Sequence, residues 1–271
     1  MPEMLEVEIY RRAAELTVGR RITEVHAPDD WYLKGGPDPA AVRAALRGQR
    51  VIGTRRRGKL LLLDTSGPVL GLRFGMTGVL DVDGSDAIDA LEYASGRRDP
   101  AWERFVLQFD DGGALRMRDP RRLGGVELDP DEERLGPDAA EVGATRFAEI
   151  LASSSAPLKA RLMDQAQLAG LGNLLTDEIL WRAGLDPARP AASLSAEEAA
   201  ALRRTMRSTI RVLGRRGGSH RGDLQESRQR QGRCPLDGEL LLRRTIGGRT
   251  TYSCPRHQPS LPPASPSRRR R

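Results

Sequence analysis

The apolar pattern of this chain changes period once, and that change limits the folds open to it. Between residues 22 and 128 the apolar stretches are short and bounded by turn-forming residues. Segments 59–64, 69–74, 104–109, 114–118 and 125–128 read as strands, separated by turns such as Asp64-Thr65-Ser66-Gly67 and Asp110-Asp111-Gly112-Gly113. Beyond residue 156 the stretches lengthen and take a helical period, over 157–166, 174–183 and 196–213. Strands grouped before helices, not alternating with them, predict an α+β fold in which an antiparallel β-sandwich is followed by a helical domain. One further helix opens the chain. Leu5, Ile9, Ala13 and Leu16 are spaced for one face of it, Gly19 is placed to end it, and Pro2 falls in or just before its first turn, where a missing amide proton costs nothing.

Ser195 and Glu198 form a capping box at the head of the last long helix, whose buried stripe is Leu202, Met206, Ile210 and Leu213. Gly184 and Pro187 end the helix before it. A Gly- and Arg-rich loop follows to Gly232, then a hairpin over 239–252 that turns at Gly247-Gly248. These features divide the chain into an N-terminal β-sandwich domain (1–133), a linker (134–144) within an acidic, proline-containing stretch, a helical domain with its basic loop (145–232), a hairpin module (233–258) and a disordered basic tail (259–271). Trp31, Trp102 and Trp181 read as packing residues.

Charge is distributed unevenly over the 271 residues. Residues 201–271 carry eighteen Arg against Asp223, Glu226, Asp237 and Glu239, so this third alone is +14 while the whole chain is +7. A strongly basic third joined to an acidic remainder points to a polyanionic partner, with nucleic acid the commonest candidate. The longest apolar run, 60–63, is far too short for a bilayer, and no signal peptide is expected at the N-terminus. Two cysteines do not make a disulfide scaffold, and a reducing cytoplasm is the expected compartment. Of 44 cationic side chains only Lys34, Lys59 and Lys159 are lysine, so each compact ammonium asks for a reason.

Three groups of residues have the chemistry of sites. Removal of Met1 would expose the secondary amine of Pro2, with an α-amino pKa near 8 that the positive end of the following helix lowers further. Such an amine forms imines with sugar aldehyde carbons, and Glu3 beside it supplies a carboxyl for proton transfer. In the helical block, Gly170-Leu171-Gly172-Asn173 makes a tight turn whose amides and Asn173 side chain suit a phosphate, or simply joins two helices. Cys234, Asp237, Cys254 and His257 have the layout of a four-ligand zinc hairpin. A three-ligand site, a metal-free knuckle and a cross-strand disulfide remain alternatives, because Asp is uncommon in structural zinc sites.

Taken together, Pro2-Glu3 with Glu6-Val7-Glu8, Arg57-Gly58-Lys59, Gly75-Met76-Thr77-Gly78, Asp119-Pro120-Arg121-Arg122, Gly170-Leu171-Gly172-Asn173 and Arg249-Thr250-Thr251-Tyr252-Ser253-Cys254-Pro255 resemble the bacterial formamidopyrimidine-DNA glycosylase and endonuclease VIII family, over nearly the whole chain. The resemblance implies a base-excision repair enzyme, a DNA glycosylase and abasic-site lyase, built as an N-terminal helix and β-sandwich followed by a helix-two-turn-helix and a zinc-finger-like β-hairpin. It implies Pro2 as nucleophile on the deoxyribose, Glu3 as proton shuttle and Lys59 as an assistant near the phosphate, with cleavage by β,δ-elimination. Asn173 and Arg249 would hold phosphates around a flipped nucleotide, with Lys159 as a further contact. Met76, Arg121 and Leu123 match positions that fill the void left in the duplex. One structural zinc, damaged or abasic double-stranded DNA as partner, a monomeric state and a place at the nucleoid complete the expectation.

Several positions depart from the family pattern. Met4-Leu5 stands where Leu-Pro is usual, Leu123 where an aromatic is common, and Asp237 and His257 where cysteines are usual. The 218–232 stretch is short for the lesion-capping loop of enzymes that favour 8-oxoguanine and lacks its aromatics, which weighs against 8-oxoguanine and makes oxidised pyrimidines or abasic sites at least equal candidates, with the preferred lesion left open. A catalytically silent binder of damaged DNA is the competing function.

Overall fold

The structure is a computed structural model that describes residues 2–88, 97 and 99–260. Met1 and all but two residues of the expected tail lie outside it. The described chain forms two compact units. The first comprises residues up to 141 together with 165–172 and 210–221, and the second comprises 142–164, 173–209 and the residues from 222 onward.

The first unit begins with helix α1 (Met4–Ala14), capped by reciprocal bonds in which each of two glutamates accepts the other's backbone amide. The Glu3 side chain accepts the Glu6 amide proton, and the Glu3 amide donates to Glu6 Oε2 at 2.8 Å. The face of α1 expected to be buried is so only in part, at Leu5 and, against the core, Ala13. Val7, Tyr10 and Ala14 enter the sandwich core, whereas Ile9 is half-buried and Leu16, in the 3-10 turn that follows, is 67% exposed. Spacings of three and four define faces on both sides of this helix, and tertiary packing selects the one carrying Tyr10, whose ring lies 4.5 Å from that of Phe74.

The strands that follow are β1 (Ile22–His26), β2 (Leu33–Lys34), β3 (Val51–Arg57), β4 (Leu60–Thr65), β5 (Leu70–Arg73), β6 (Val79–Val82), β7 (Ser85–Asp86), β8 (Glu103–Phe109), β9 (Ala114–Arg118) and β10 (Gly125–Leu128), with helix α2 (Pro39–Leu46) after β2. They form two five-stranded sheets, ordered β1-β8-β9-β6-β7 and β2-β10-β5-β4-β3. All pairings are antiparallel except β2 on β10, which is parallel. Leu61 and Leu63 face the core shared by the two sheets. Leu60 and Leu62, on the other face of β4, are equally buried, which is why the run is apolar without alternation.

The acidic stretch after β10 packs on this sheet. Pro130 sits where any Cβ on Gly71 would come within 2.8 Å, Glu132 pairs with Arg55 at 2.7 Å, and Asp138 pairs with Arg56 at 2.6 Å while accepting the Gly58 amide at 2.9 Å. Trp31 is not a packing residue: it is 68% exposed, with the Lys34 ammonium 4.9 Å from its ring. Trp102 is half-buried and Trp181 buried.

The second unit holds α3 (Ala144–Ala152), α4 (Leu158–Met163), α5 (Asn173–Ala183), most of α6 (Ala196–Arg216) and the hairpin of β11 (Leu242–Ile246) and β12 (Arg249–Ser253). Leu202, Met206, Ile210 and Leu213 are all buried, as their spacing predicts. The hairpin turns at Gly247 and Gly248, with φ of +57° and +72°, the backbone that a two-residue turn between twisted strands requires. No described helix is long and apolar enough to cross a membrane.

The expected capping box is present at α6. Ser195 N donates to Glu198 Oε2 at 2.8 Å, Glu198 N donates to Ser195 Oγ at 3.2 Å, and Arg189 grips both carboxylate oxygens at 2.6 Å. The Arg189 guanidinium, then the Ser195 amide, hold the Glu198 carboxyl down to about 2 from its ordinary 4.5. A depressed carboxyl stabilises the fold above its unfolded pKa and loses that contribution as pH falls through the folded value. Glu198→Gln should therefore cost about 1 kcal/mol at pH 7, the order of a cap rather than of a dry ion pair, because the side chain is 38% exposed. Thermal unfolding at stepped pH should show the gap between variant and parent closing from pH 4.5 towards 2. A gap of constant size down to pH 2 would contradict the assignment.

Candidate active site and nucleic-acid interface

Within the first unit, three segments meet at the start of α1, and glycines let them approach. Gly58, at φ +58° in the β3–β4 turn, lies so close to the 165–172 segment that a Cβ there would be 2.7 Å from Ala169 Cβ. Gly170, at φ +115°, offers its carbonyl to the Met4 amide at 3.2 Å. A Cβ on Gly172 would fall 2.3 Å from Glu3 Cδ. Gln165 braces the segment from inside, donating to the Leu171 carbonyl at 2.9 Å and accepting the Gly170 amide proton at 3.0 Å.

This arrangement places Pro2 and Lys59 on one cavity of about 270 Å³, together with Arg73, Phe74, Leu123 and Gln165. Glu3 is fully buried beside Pro2, and its Oε2 accepts the Gly172 amide proton at 2.8 Å. The glycine turn read from sequence as an anion site thus spends one of its amides on a carboxylate of the chain itself. Asn173 opens α5 in the second unit, half-buried, its Oδ1 buried without a hydrogen-bond partner among the described residues.

Sequence reasoning missed the role of Glu6. Besides the Glu3 amide, it accepts the Ser219 amide at 2.6 Å and the Ser219 hydroxyl at 2.7 Å, with His220 Nδ1 at 3.7 Å. Burial alone would raise its carboxyl, but the neighbouring His220 ring and the hydrogen bonds from Ser219 and the Glu3 amide overcome this and leave it below the ordinary value. The signal in the sequence was the Glu3-x-x-Glu6 spacing of a capping box.

Met76 and Leu123 come from adjoining turns of the first unit. Gly75, at φ +56°, sits where a Cβ would be 2.4 Å from the Leu123 carbonyl carbon. Met76 is half-buried, Arg121 exposed and Leu123 54% exposed, an unusual degree for a large apolar side chain.

In the second unit Arg249 is exposed at the first position of β12. Lys159 is placed differently from Arg249. It is fully buried, 2.7 Å from Asp177 Oδ1, and donates to Thr251 Oγ1 at 2.8 Å and to the Thr250 carbonyl at 3.2 Å. Where a phosphate contact was expected of it, its ammonium ties the hairpin to α4 and α5.

Cys234, Asp237, Cys254 and His257 converge so that one donor atom from each lies within 4.8 Å of the others. Asp237 Oδ2 is 3.3 Å from Cys254 Sγ and 3.4 Å from His257 Nδ1, and Cys234 Sγ is 3.5 Å from the same Nδ1. These separations match the edges of a tetrahedron with metal–donor distances of about 2.0 to 2.3 Å. His257 Nε2 lies 3.1 Å from the Trp181 carbonyl, which leaves Nδ1 to face the cluster, as in a metal-bound histidine whose other nitrogen is held by a backbone carbonyl. The two cysteines are free thiols, not a disulfide. The donor set fits one tetrahedral cation.

A buried carboxylate beside Pro2, a lysine on the same cavity, an exposed arginine on a hairpin and a four-donor cluster belong to a two-unit α+β protein. Comparison with known proteins gives the family. Residues 1–126 match the formamidopyrimidine-DNA glycosylase N-terminal domain and residues 135–221 the formamidopyrimidine-DNA glycosylase H2TH domain. The chain is similar to formamidopyrimidine-DNA glycosylases of Roseiflexus sp., at 33% identity over 95% of this chain and 100% of that one, and of Symbiobacterium thermophilum, at 36% over 96% and 90%. Its fold matches a crystal structure of the Lactococcus lactis formamidopyrimidine-DNA glycosylase bound non-covalently to DNA containing an abasic site, with a TM-score of 0.80, 25% identity and coverage of 96% of this chain and 100% of that one. The chain belongs to the formamidopyrimidine-DNA glycosylase family.

The close approach at Gly172 generates a prediction. Gly172→Ala should push Glu3 off its amide donor and cost about 1 to 3 kcal/mol of stability. Thermal unfolding measures it, and an unchanged midpoint would show that the Glu3 carboxylate is not held there.

Proposed function

We propose that this protein removes oxidatively damaged bases from double-stranded DNA and cleaves the resulting abasic site, acting as a monomer at the nucleoid. The observation that carries the reading is the shared cavity of Pro2 and Lys59 with the Glu3 carboxylate buried beside it. Once Met1 is removed, the Pro2 nitrogen attacks the deoxyribose anomeric carbon. The C1′–N bond to the base breaks and the base leaves with a proton; the C1′–O4′ bond then opens, O4′ takes a proton, and an iminium links Pro2 to the sugar. Glu3 relays protons as the ring opens. Lys59 assists beside the phosphate. Loss of a C2′ proton then expels the 3′ phosphate, and a second elimination expels the 5′ phosphate. Asn173 and Arg249 hold the backbone of the flipped nucleotide, and Met76, Arg121 and Leu123 fill the gap it leaves.

Borohydride reduction on an abasic duplex tests the chemistry. A covalent adduct should form with the mature protein and be lost, by at least about 100-fold, in Pro2→Gly or when Met1 is retained. Tight binding without an adduct would assign the protein to the silent binders of damaged DNA instead. A panel of duplexes carrying 8-oxoguanine, formamidopyrimidine, thymine glycol, 5-hydroxyuracil and an abasic site identifies the lesion.

We further propose that Cys234, Asp237, Cys254 and His257 hold one structural zinc. Bound there, the ion supplies no reaction chemistry and instead fixes the loops flanking the hairpin that carries Arg249. The purified protein should contain about one zinc per chain, and chelation should lower its unfolding temperature and weaken DNA binding together. Metal-free protein with unchanged unfolding and binding would refute the site.

A further inference from the structure

Asp119 is fully buried and holds two separate segments of the first unit at once. Its Oδ1 accepts the Thr77 hydroxyl proton at 2.6 Å and the Arg121 amide at 3.2 Å, and its Oδ2 accepts the Gly124 amide at 2.8 Å. The bonds to Arg121 and Gly124 are local and would close the 119–124 turn by themselves. The bond to Thr77 is not local: it spans 42 positions and joins the turn carrying Met76 to the turn carrying Arg121 and Leu123. Thr77 is itself buried, so neither partner has water as an alternative.

Other contacts tighten the same joint. Gly75 packs against the Leu123 carbonyl with no room for a Cβ, and Gly124 lies so near the Arg73 carbonyl that a Cβ would come within 2.3 Å. Arg122 is held in the left-handed region at φ +57°, with its guanidinium on Asp29 at 2.6 and 2.5 Å. Arg104 Nε donates to the Asp119 carbonyl at 2.9 Å. The residues on either side of Arg122 are therefore fixed in direction while their own side chains stay exposed.

We propose that Asp119 is the positioning residue that makes Met76, Arg121 and Leu123 a single preformed wedge, with Thr77 as its partner across the two turns. The proposal rests on the void-filling reading of those three side chains. A wedge assembled before binding enters the stack without first ordering two loops, so its benefit appears only with substrates whose target base must be extruded. An abasic site in single-stranded DNA needs no wedge.

Asp119→Asn puts an amide donor where Asp119 now accepts from two amides and a hydroxyl. Thr77→Val removes only the cross-turn bond at nearly constant volume, and Thr77→Ser restores it. Asp119→Asn and Thr77→Val should lower base excision from duplex DNA by about 10- to 100-fold, while cleavage of single-stranded abasic DNA, which also measures the folded fraction, stays at the parent rate. Thr77→Ser should recover duplex activity. A duplex carrying a stable abasic analogue next to 2-aminopurine should show less fluorescence gain with Asp119→Asn and Thr77→Val than with the parent. If Met76→Ala loses duplex excision and Thr77→Val does not, the wedge exists and Asp119 does not set it, which overturns the proposal. If Met76→Ala also excises at the parent rate, the wedge reading fails and takes the proposal with it.

Discussion

The buried Glu3 carboxylate is the contact on which the first unit's chemistry is built. It receives two amides, one from Glu6 in its own helix and one from Gly172 in a segment about 170 residues away in sequence. A carboxylate without those donors would cost several kcal/mol to bury. Satisfied by them, it caps α1, orients the residue before it and anchors the 165–172 segment in one step. Glu6 extends the same logic, since its second oxygen takes the Ser219 amide and hydroxyl and so ties down the end of the 210–221 segment. Two acidic side chains at one helix start therefore gather three distant pieces of chain, and the positive end of that helix favours their charge.

Glycine makes that gathering possible where polar groups drive it. Gly58, Gly170 and Gly172 each occupy a place where a methyl group would meet another segment at contact distance or closer. The resulting cavity is small, and Pro2 and Lys59 both line it on backbone held by these close approaches. Rigid placement of reacting groups is worth more to a reaction than additional contacts to the substrate.

The sequence made the site more legible than the scaffold around it. Strands β5, β8, β9 and β10 and helices α5 and α6 follow from apolar period and turn chemistry, because burial on one face leaves a regular trace. Helix α2 left little: it is eight residues long, and its signals were a capping Asp38 and Pro39 at the first position. The face of α1 was partly misread because Leu16 keeps the helical spacing yet lies in the turn beyond the helix, exposed. Asp119 and Glu6 could be quoted as motif letters, but their partners, Thr77 and Ser219, are 42 and 213 positions away and carry no periodic signal. Residues that contact ligand stand out by type. Those that hold them in place depend on a partner that only the fold brings near.

Lys159 shows how residue choice can be read once the surroundings are known. In a chain that uses arginine for nearly every cation, a lysine survives at a fully buried position with three acceptors: a carboxylate, a hydroxyl and a carbonyl. An ammonium carries its three protons in a compact head that fits among these oxygens, with two hydrogen bonds and an ion pair to Asp177. A planar guanidinium is larger, carries five N–H donors and would leave some of them unpaired in a site closed to water. The same Asp177 also takes Arg228 and the Tyr252 amide, so one buried carboxylate joins α5, the loop after α6 and β12. The exposed Arg249 begins the strand whose next two residues Lys159 grips. The buried ammonium therefore braces the strand that begins at Arg249 from a position with no exposed surface of its own.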